Sequence, residues 1–241
     1  MRIFSDCYQL MSEILREVWE MGEYVHPHSM QNKIVKDNPA YQTKEIINYS
    51  YCLLTREKPE FLFYFDRDKS REWVEAEFEE RVSGKKLNPG KAWLIRKELW
   101  QQFLRKDGKQ DYTYAERIGV QLQAIIKELS VNPNSRQCVL SIWNPDIDIY
   151  GLGGKQRVPC SIYYQFLYRK GMVHIIYNQR SADAVTHFGN DVWLAYQTLL
   201  YVTQKLGAKP GYLFHNITSL HAYQKDWDTL KAGITSIKNY K

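Results

Sequence analysis

Apolar positions recur at helical spacing near the start of the chain. Cys7, Met11, Ile14, Leu15 and Val18 define one face, Ser5 is placed to cap it, and the spacing predicts a helix to about Met21. From His26 to Tyr41 the pattern dissolves around Pro27, Asn32, Asn38 and Pro39, which predicts a long surface loop of the kind used for binding. Residues 44–54 and 60–65 are β-branched and aromatic enough to be strands. Residues 72–82 and 93–104 read as helices separated by the loop SGKKLNPG. From Tyr114 the set Ile118, Leu122, Ile125, Ile126 and Leu129 predicts an amphipathic helix that Asn132-Pro133 ends.

The second half changes character. CVLSIW (138–143), SIYYQFLYR (161–169), MVHIIYNQ (172–179) and YLFHNITSLHAY (212–223) are rich in Ile, Val, Tyr and Phe and predict a sheet, its middle pair joined at Lys170-Gly171. Residues 188–206 form a long, mostly apolar stretch, as expected of a helix at the centre of a packed core. The elements describe an α/β (α+β) fold, expected as one domain over residues 1–241, with a sheet supplied largely by the C-terminal half.

Composition narrows the classes. With 25% charged residues of mixed sign the chain is not disordered, and no run approaches the ~18 apolar residues of a membrane span. The first twenty residues carry acidic groups within their apolar pattern and lack a small-residue cleavage site, so a cytoplasmic protein is expected. The formal charge of +6 admits an anionic partner as readily as ordinary surface charge. Four cysteines, Cys7, Cys52, Cys138 and Cys160, lack metal-ligand spacing, and no metal site is expected.

Taken alone, Cys160 in RVPCS reads as a structural thiol at the start of a strand. Its surroundings add chemistry. Arg180, at the end of an apolar strand in NQRS, needs an anion, which a phosphate or a carboxylate can supply. Asp183 and Asp191 flank the start of the long helix, and His221 and Tyr223 stand two apart on one strand face. A cysteine, an arginine, carboxylates and a His/Tyr pair can therefore line one polar pocket.

These motifs, PC followed by QF, QRS-x-D and H-x-Y, resemble the thymidylate synthase family in residue type and interval from Cys160 to Tyr223. NPNSR (132–136) resembles that family's NPDSRR, and TKEIINYSY resembles its early strand. The resemblance implies a mixed sheet with packed helices and a sheet-to-sheet homodimer. It also implies transfer of a one-carbon unit from 5,10-methylenetetrahydrofolate, as cosubstrate, to C5 of a pyrimidine nucleoside monophosphate. C5 is a poor nucleophile until a thiolate adds at C6, and by resemblance Cys160 is that thiolate.

Further roles follow from the same resemblance. Arg180 and Ser181, beside Gln179, would hold the phosphate, with Arg136 reaching in from the partner subunit. Glu75 would manage proton transfers, with Glu72 and Glu77 as neighbouring candidates on a helix whose acidic residues mostly face water. Trp100 matches a tryptophan that packs against the folate ring, though it also suits a core position. Asp183 matches a pterin contact, Tyr114 a tyrosine near the nucleophile, and His221 and Tyr223 a pair that binds the sugar hydroxyl.

By the same resemblance, Asp191 would carry the base preference. Thymidylate synthases place asparagine there, which donates to O4 and accepts from N3–H of uracil. A carboxylate instead accepts from the N4 amino group of cytosine and, through a shared proton, satisfies N3. With GND (189–191) and WQQ (100–102), this resembles the phage-type deoxycytidylate hydroxymethylases, and implies dCMP as substrate and water capture of the exocyclic methylene. Asn190 would serve only through a one-residue shift, about 100° around a helix.

The chain departs from the family at several positions. Gln137 stands for a second arginine, His187 for a glycine beside the folate, Ser161 for a histidine and Asn178 for a tyrosine. A dCMP or CMP methylase or hydroxymethylase, or a thymidylate synthase acting on dUMP, is the nearest alternative. A basic nucleic-acid-binding protein, whose binding would fall steeply with salt, is the alternative from another class, although no nucleic-acid partner is expected.

Overall fold

The strand-rich sequence assembles a seven-stranded mixed sheet in a computed structural model that describes residues 1–54, 59–65 and 69–238. In chain order the elements are β1 (Arg2–Phe4), α1 (Cys7–Met21), β2 (Glu23–Val25), β3 (Ser29–Met30), β4 (Lys33–Ile34) and β5 (Thr43–Leu54). Then come α2 (Ser70–Val82), α3 (Lys97–Trp100), α4 (Tyr114–Val131), β6 (Val139–Ser141) and α5 (Pro145–Asp148). The chain continues through β7 (Ser161–Arg169), β8 (Met172–Asp183), α6 (Phe188–Leu206), β9 (Lys209–Tyr223) and α7 (Trp227–Lys238).

The strand order is β1-β5-β9-β8-β7-β6, with β2 also pairing β5. β7 and β8 form a hairpin whose turn, Lys170 at φ 51° and Gly171 at φ 77°, has the left-handed pair that matches the twist of antiparallel strands. β8 and β9 are parallel, so the chain must cross over between them, and α6 makes that crossing. β5 then runs antiparallel to β9, from Thr43 opposite Tyr223 to Leu54 opposite Tyr212.

Helices α1, α4 and α6 bury their apolar faces with the sheet in one core. Leu10, Ile14, Ile118, Leu122, Phe166, Ile175, Leu199, Val202 and Leu213 have no exposed surface. A smaller cluster of Trp73, Val74, Ala92 and Leu194 joins α2 to α6. Among the described residues no helix is long and apolar enough to cross a membrane.

Several local expectations change. Asp6, not Ser5, caps α1, accepting from the Gln9 amide at 2.7 Å. Pro59–Phe63 is a 3-10 helix where a strand was expected, because this short aromatic run has no strand beside it and instead seats Leu62 under α6. The expected helix over 93–104 is split into short turns at Arg96, whose backbone leaves helical geometry (φ −119°, ψ 45°) as its buried guanidinium packs over Trp73. The loop over 26–41 contains the small β3–β4 hairpin. β1, β2 and α7 were not anticipated, the first two being too short for a period to register.

The first turn of α6 approaches the 3-10 segment so closely that a Cβ on Gly189 would lie 2.0 Å from the Leu62 carbonyl oxygen. Both are backbone-bound, so neither can swing aside. Gly189→Ala is therefore expected to destabilise the fold by about 1–3 kcal/mol, read by urea unfolding; an unchanged midpoint would show that this contact is not tight.

Candidate active site

Cys160 sits where the chain enters β7, and the adjoining strand grips it from the side. The Arg180 amide donates to the Cys160 carbonyl at 2.8 Å, and Arg180 Nε and Nη2 donate to the carbonyls of Pro159 at 2.8 Å and Val158 at 3.2 Å. This places Nη2 3.8 Å from the Cys160 Sγ. Gln31, at φ 53° between β3 and β4, accepts from the Val158 amide at 3.2 Å and donates to Sγ at 3.5 Å. Burial pushes the Cys160 thiol up; Arg180 opposes this most, Asp191 adds to it, and Arg157 and Gln31 oppose it. Cys7, Cys52 and Cys138 are buried in packing positions, whereas Cys160 is only half-buried.

A relay of buried polar groups ends at Asp191. The Tyr51 hydroxyl lies 2.9 Å from His215 Nδ1, His215 Nε2 lies 3.0 Å from Gln179 Oε1, and Gln179 Nε2 donates to Asp191 Oδ2 at 2.6 Å. Burial lowers the His215 pKa to about 3, so the imidazole is neutral and has one N–H. With Gln179 Oε1 facing Nε2, that nitrogen carries it, since a carbonyl can only accept; Nδ1 then accepts from Tyr51, and the Gln179 amide nitrogen faces Asp191. Tyr177 stacks on the His215 ring, centroids 4.2 Å apart, and holds Ser161 Oγ at 2.7 Å, with the Tyr114 hydroxyl 3.4 Å from the same oxygen.

Burial pushes the Asp191 pKa up to about 6, against the Gln179 hydrogen bond and the Arg81 charge, with Asp183 adding to the rise. Asn190 turns away from this pocket, into a small cavity lined by Met11, Leu62, Phe63 and Ser70. The one-residue alternative thus points its amide elsewhere.

Glu75 is placed differently from expectation. Its side chain is 59% exposed, it pairs loosely with Arg71 at 3.8 Å, and it lines an outer groove with Glu72, Glu79 and Trp193. Glu77 is two residues on, about 200° around the helix, and faces inward. It accepts from Arg81 Nε at 2.9 Å, and the buried Arg81 guanidinium lies 4.0 Å from the Tyr114 ring centroid. Burial pushes the Glu77 carboxyl up, while Arg81 and, more weakly, Arg157 pull it down. The helix thus gives Glu77 to the pocket and Glu75 to solvent.

The residues expected to border a cosubstrate stand on three separate segments. Trp100 is half-buried, stacks on Trp73 with centroids 5.4 Å apart, and lies under the Arg157 guanidinium at 5.0 Å. Asp183 Oδ1 accepts from the amides of Val185 at 3.0 Å and Thr186 at 3.1 Å, which shapes the turn into α6. His187, at the start of that helix, is lowered to about 4 chiefly by burial. His221 and Tyr223 share one face of β9 with ring centroids 5.0 Å apart, and Ser181 pairs with Ser219 across the parallel β8–β9 ladder. Arg136 is exposed near the sheet's β6 edge and makes no side-chain contact with this pocket among the described residues. Sequence reasoning missed Gln31, Arg81, Arg157, Tyr51 and His215. Only His215 left a trace, standing at even spacing from His221 within an apolar strand.

A half-buried thiol beside an arginine, with carboxylates and aromatic rings around it on a mixed sheet, is an arrangement in which a cysteine can act as a nucleophile on an α/β scaffold. The sequence profile described as thymidylate synthase matches residues 84–239. The chain belongs to the thymidylate synthase family. A Methanosarcina barkeri protein provisionally named a thymidylate synthase is 30% identical over 142 residues, 56% of this chain and 64% of that protein. A thymidylate synthase of Mycoplasma genitalium is 30% identical over 116 residues, 48% of this chain and 39% of that protein. The chain thus spans under two thirds of the length of these relatives. The fold resembles that of thermostable thymidylate synthase A from Bacillus subtilis, with a TM-score of 0.73 at 17% identity over 96% of this chain and 84% of that one.

A carboxyl whose pKa rises on folding binds more protons in the native state than in the unfolded one, so its ionisation costs stability as pH increases. For Asp191, raised from 3.8 to about 6, that loss falls between about pH 4 and 6 and is worth about 3 kcal/mol. Asp191→Asn should be relatively more stable than wild type at pH 7 than at pH 4. Urea unfolding at both pH values checks this; a difference that does not vary with pH would contradict the shift.

Proposed function

We propose that this protein is a deoxycytidylate 5-hydroxymethyltransferase, using 5,10-methylenetetrahydrofolate as cosubstrate. The supporting observation is Asp191, held at the end of the Tyr51–His215–Gln179 relay in the position from which Asn190 turns away. With Gln179 donating to Oδ2, that oxygen is kept as an acceptor. A carboxyl of pKa near 6 can accept from the cytosine amino group and share a proton with N3. Uracil presents a carbonyl oxygen where this site offers an acceptor, and such a mismatch costs about 1–3 kcal/mol, or about 5- to 150-fold.

The Cys160 thiolate, favoured by Arg180, adds to C6 of the nucleotide, which makes C5 nucleophilic toward the one-carbon unit. Glu77, rather than Glu75, handles protons at the base, because it is the carboxylate of α2 that faces the pocket. Arg180 and Ser181 receive the phosphate with Arg136 of a second copy in a homodimer, a role that suits an exposed arginine with no partner of its own among the described residues. His221 and Tyr223 take the sugar, and Trp100, Asp183 and His187 border the folate. Loss of the C5 proton expels tetrahydrofolate and leaves an exocyclic methylene; water adds to that methylene as the Cys160–C6 bond breaks, giving 5-hydroxymethyl-dCMP and the free thiolate.

The test is incubation with methylenetetrahydrofolate and dCMP, dUMP or CMP in turn, with the product identified by mass. A hydroxymethylated product from dCMP is expected. Preferred turnover of dUMP, or a methylated product, would reject the assignment. Cys160→Ala should abolish turnover while nucleotide binding persists, and Asp191→Asn should move preference toward dUMP.

A second measurement separates the two glutamates. Glu77→Gln is expected to lower kcat by about 10²- to 10⁴-fold, the span of a lost general acid or base, whereas Glu75→Gln should stay near wild type. The reverse pattern would return the role to the exposed residue.

A further inference from the structure

Arg157 is a buried cation that the proposed reaction has not used. It is 6% exposed, it precedes Cys160 by three residues, and no carboxylate forms an ion pair with it among the described residues. Three aromatic rings cage it instead: Phe103 at 4.6 Å, Trp100 at 5.0 Å and Tyr112 at 5.1 Å from its Cζ. Its backbone amide is tied to Asp111 at 2.9 Å. Among the described residues Nη1 is the guanidinium donor with a hydrogen bond, to Gln110 Oε1 at 3.2 Å, and Nε is buried with no partner among them. The Trp100 indole Nε1 is likewise buried with no partner among the described residues.

Both orphans are donors that can never accept, so no rearrangement lets one satisfy the other. A caged guanidinium without a carboxylate, next to a second unmet donor, is an unbalanced arrangement for packing alone. Burying a charge without an opposite charge is costly, and cation–π contact offsets only part of that. What both donors lack is an acceptor oxygen. The flat rings around them suit a planar heteroaromatic group that carries one.

We propose that Arg157 is a ligand-binding residue of this site, whose guanidinium, together with Trp100, grips an acceptor oxygen on the heteroaromatic ring of the folate cosubstrate. The inference rests on the reading of the protein as folate-dependent and deepens it. The contact is a charge-assisted hydrogen bond over an aromatic wall, and it makes the ring-binding side of the pocket cationic. It also gives Trp100 a role distinct from the core packing of Trp73, on which it stacks.

The test is equilibrium binding of tetrahydrofolate, followed by quenching of tryptophan fluorescence, in wild type, Arg157→Lys and Arg157→Leu, each with and without bound dCMP. Binding of dCMP itself is measured separately by calorimetry. Arg157→Leu is expected to weaken tetrahydrofolate binding about 10- to 100-fold, as for a lost hydrogen bond to a charged group, with dCMP binding within about twofold of wild type. Arg157→Lys keeps the charge but loses the planar fork. It should recover only part of the loss, and it preserves the test if the leucine variant does not fold.

Unchanged folate binding in a folded variant would overturn the proposal while leaving the folate-dependent reading intact. Equal losses of folate and nucleotide binding would overturn it too, as a structural role would give. Cys160 alkylation rates against pH supply a further readout. A profile displaced in Arg157→Leu with folate binding unaltered would make the residue an electrostatic partner of the thiol and reject the proposal. A wild type that binds dCMP but no tetrahydrofolate would remove both this inference and the reading beneath it.

Discussion

The site depends on one constraint: a line of polar side chains crosses the buried face of a sheet to a partly buried carboxylate, and each must satisfy the next. Tyr51, His215 and Tyr177 are neighbours across β5, β9 and β8, in register, on the same face. Gln179 is two residues further along β8 and therefore also on that face. Because β8 and β9 are parallel, the connection between them must return along the sheet, and the first turn of that helix delivers Asp191 to the end of the line. A net hydrogen bond in a protein is worth only about 1 kcal/mol, but a buried group left unmet costs up to about 3 kcal/mol. The relay thus does more to select one arrangement of strands and side chains than to stabilise it.

The same low-dielectric interior explains the charges. Glu77 and Asp191 are both pushed toward their neutral forms by burial, and both are drawn back by the Arg81 guanidinium. Cys160 is pushed the same way and drawn back by Arg180. The pocket therefore holds acids that burial pushes toward their protonated forms and that arginines draw back: Arg81 of α2 acts on Glu77 and Asp191, and Arg180 of β8 on Cys160. The net charge of +6 has little to do with this, because what matters is which cations are sealed in beside which acids.

Much of the scaffold was legible because it depends on local periodicity. The strand at 161–169 and the helix at 188–206 have the bounds their patterns indicate, and the glycine after Lys170 marks the hairpin. The aromatic run at 60–65 was misread because six residues cannot separate a strand from a helical turn when no partner strand is visible. Which glutamate of α2 faces the pocket was not legible for a different reason. α2 has acidic residues all round it, so amphipathic pattern offers no way to tell which glutamate is inside, and only its packing against α4 and α6 decides that.

Residue type and order alone placed Cys160, Arg180, Asp183, Asp191, His221 and Tyr223 in motifs that resemble one family, since those motifs keep fixed intervals in the chain. Tertiary structure alone brought Gln31 to the sulfur from a loop 129 residues away, put Tyr51 beside His215, and enclosed Arg157 in aromatic rings. Those contacts join segments with no local pattern in common. Their specificity lies in burial, which makes an unmatched donor or charge expensive, and burial is a property of the assembled fold.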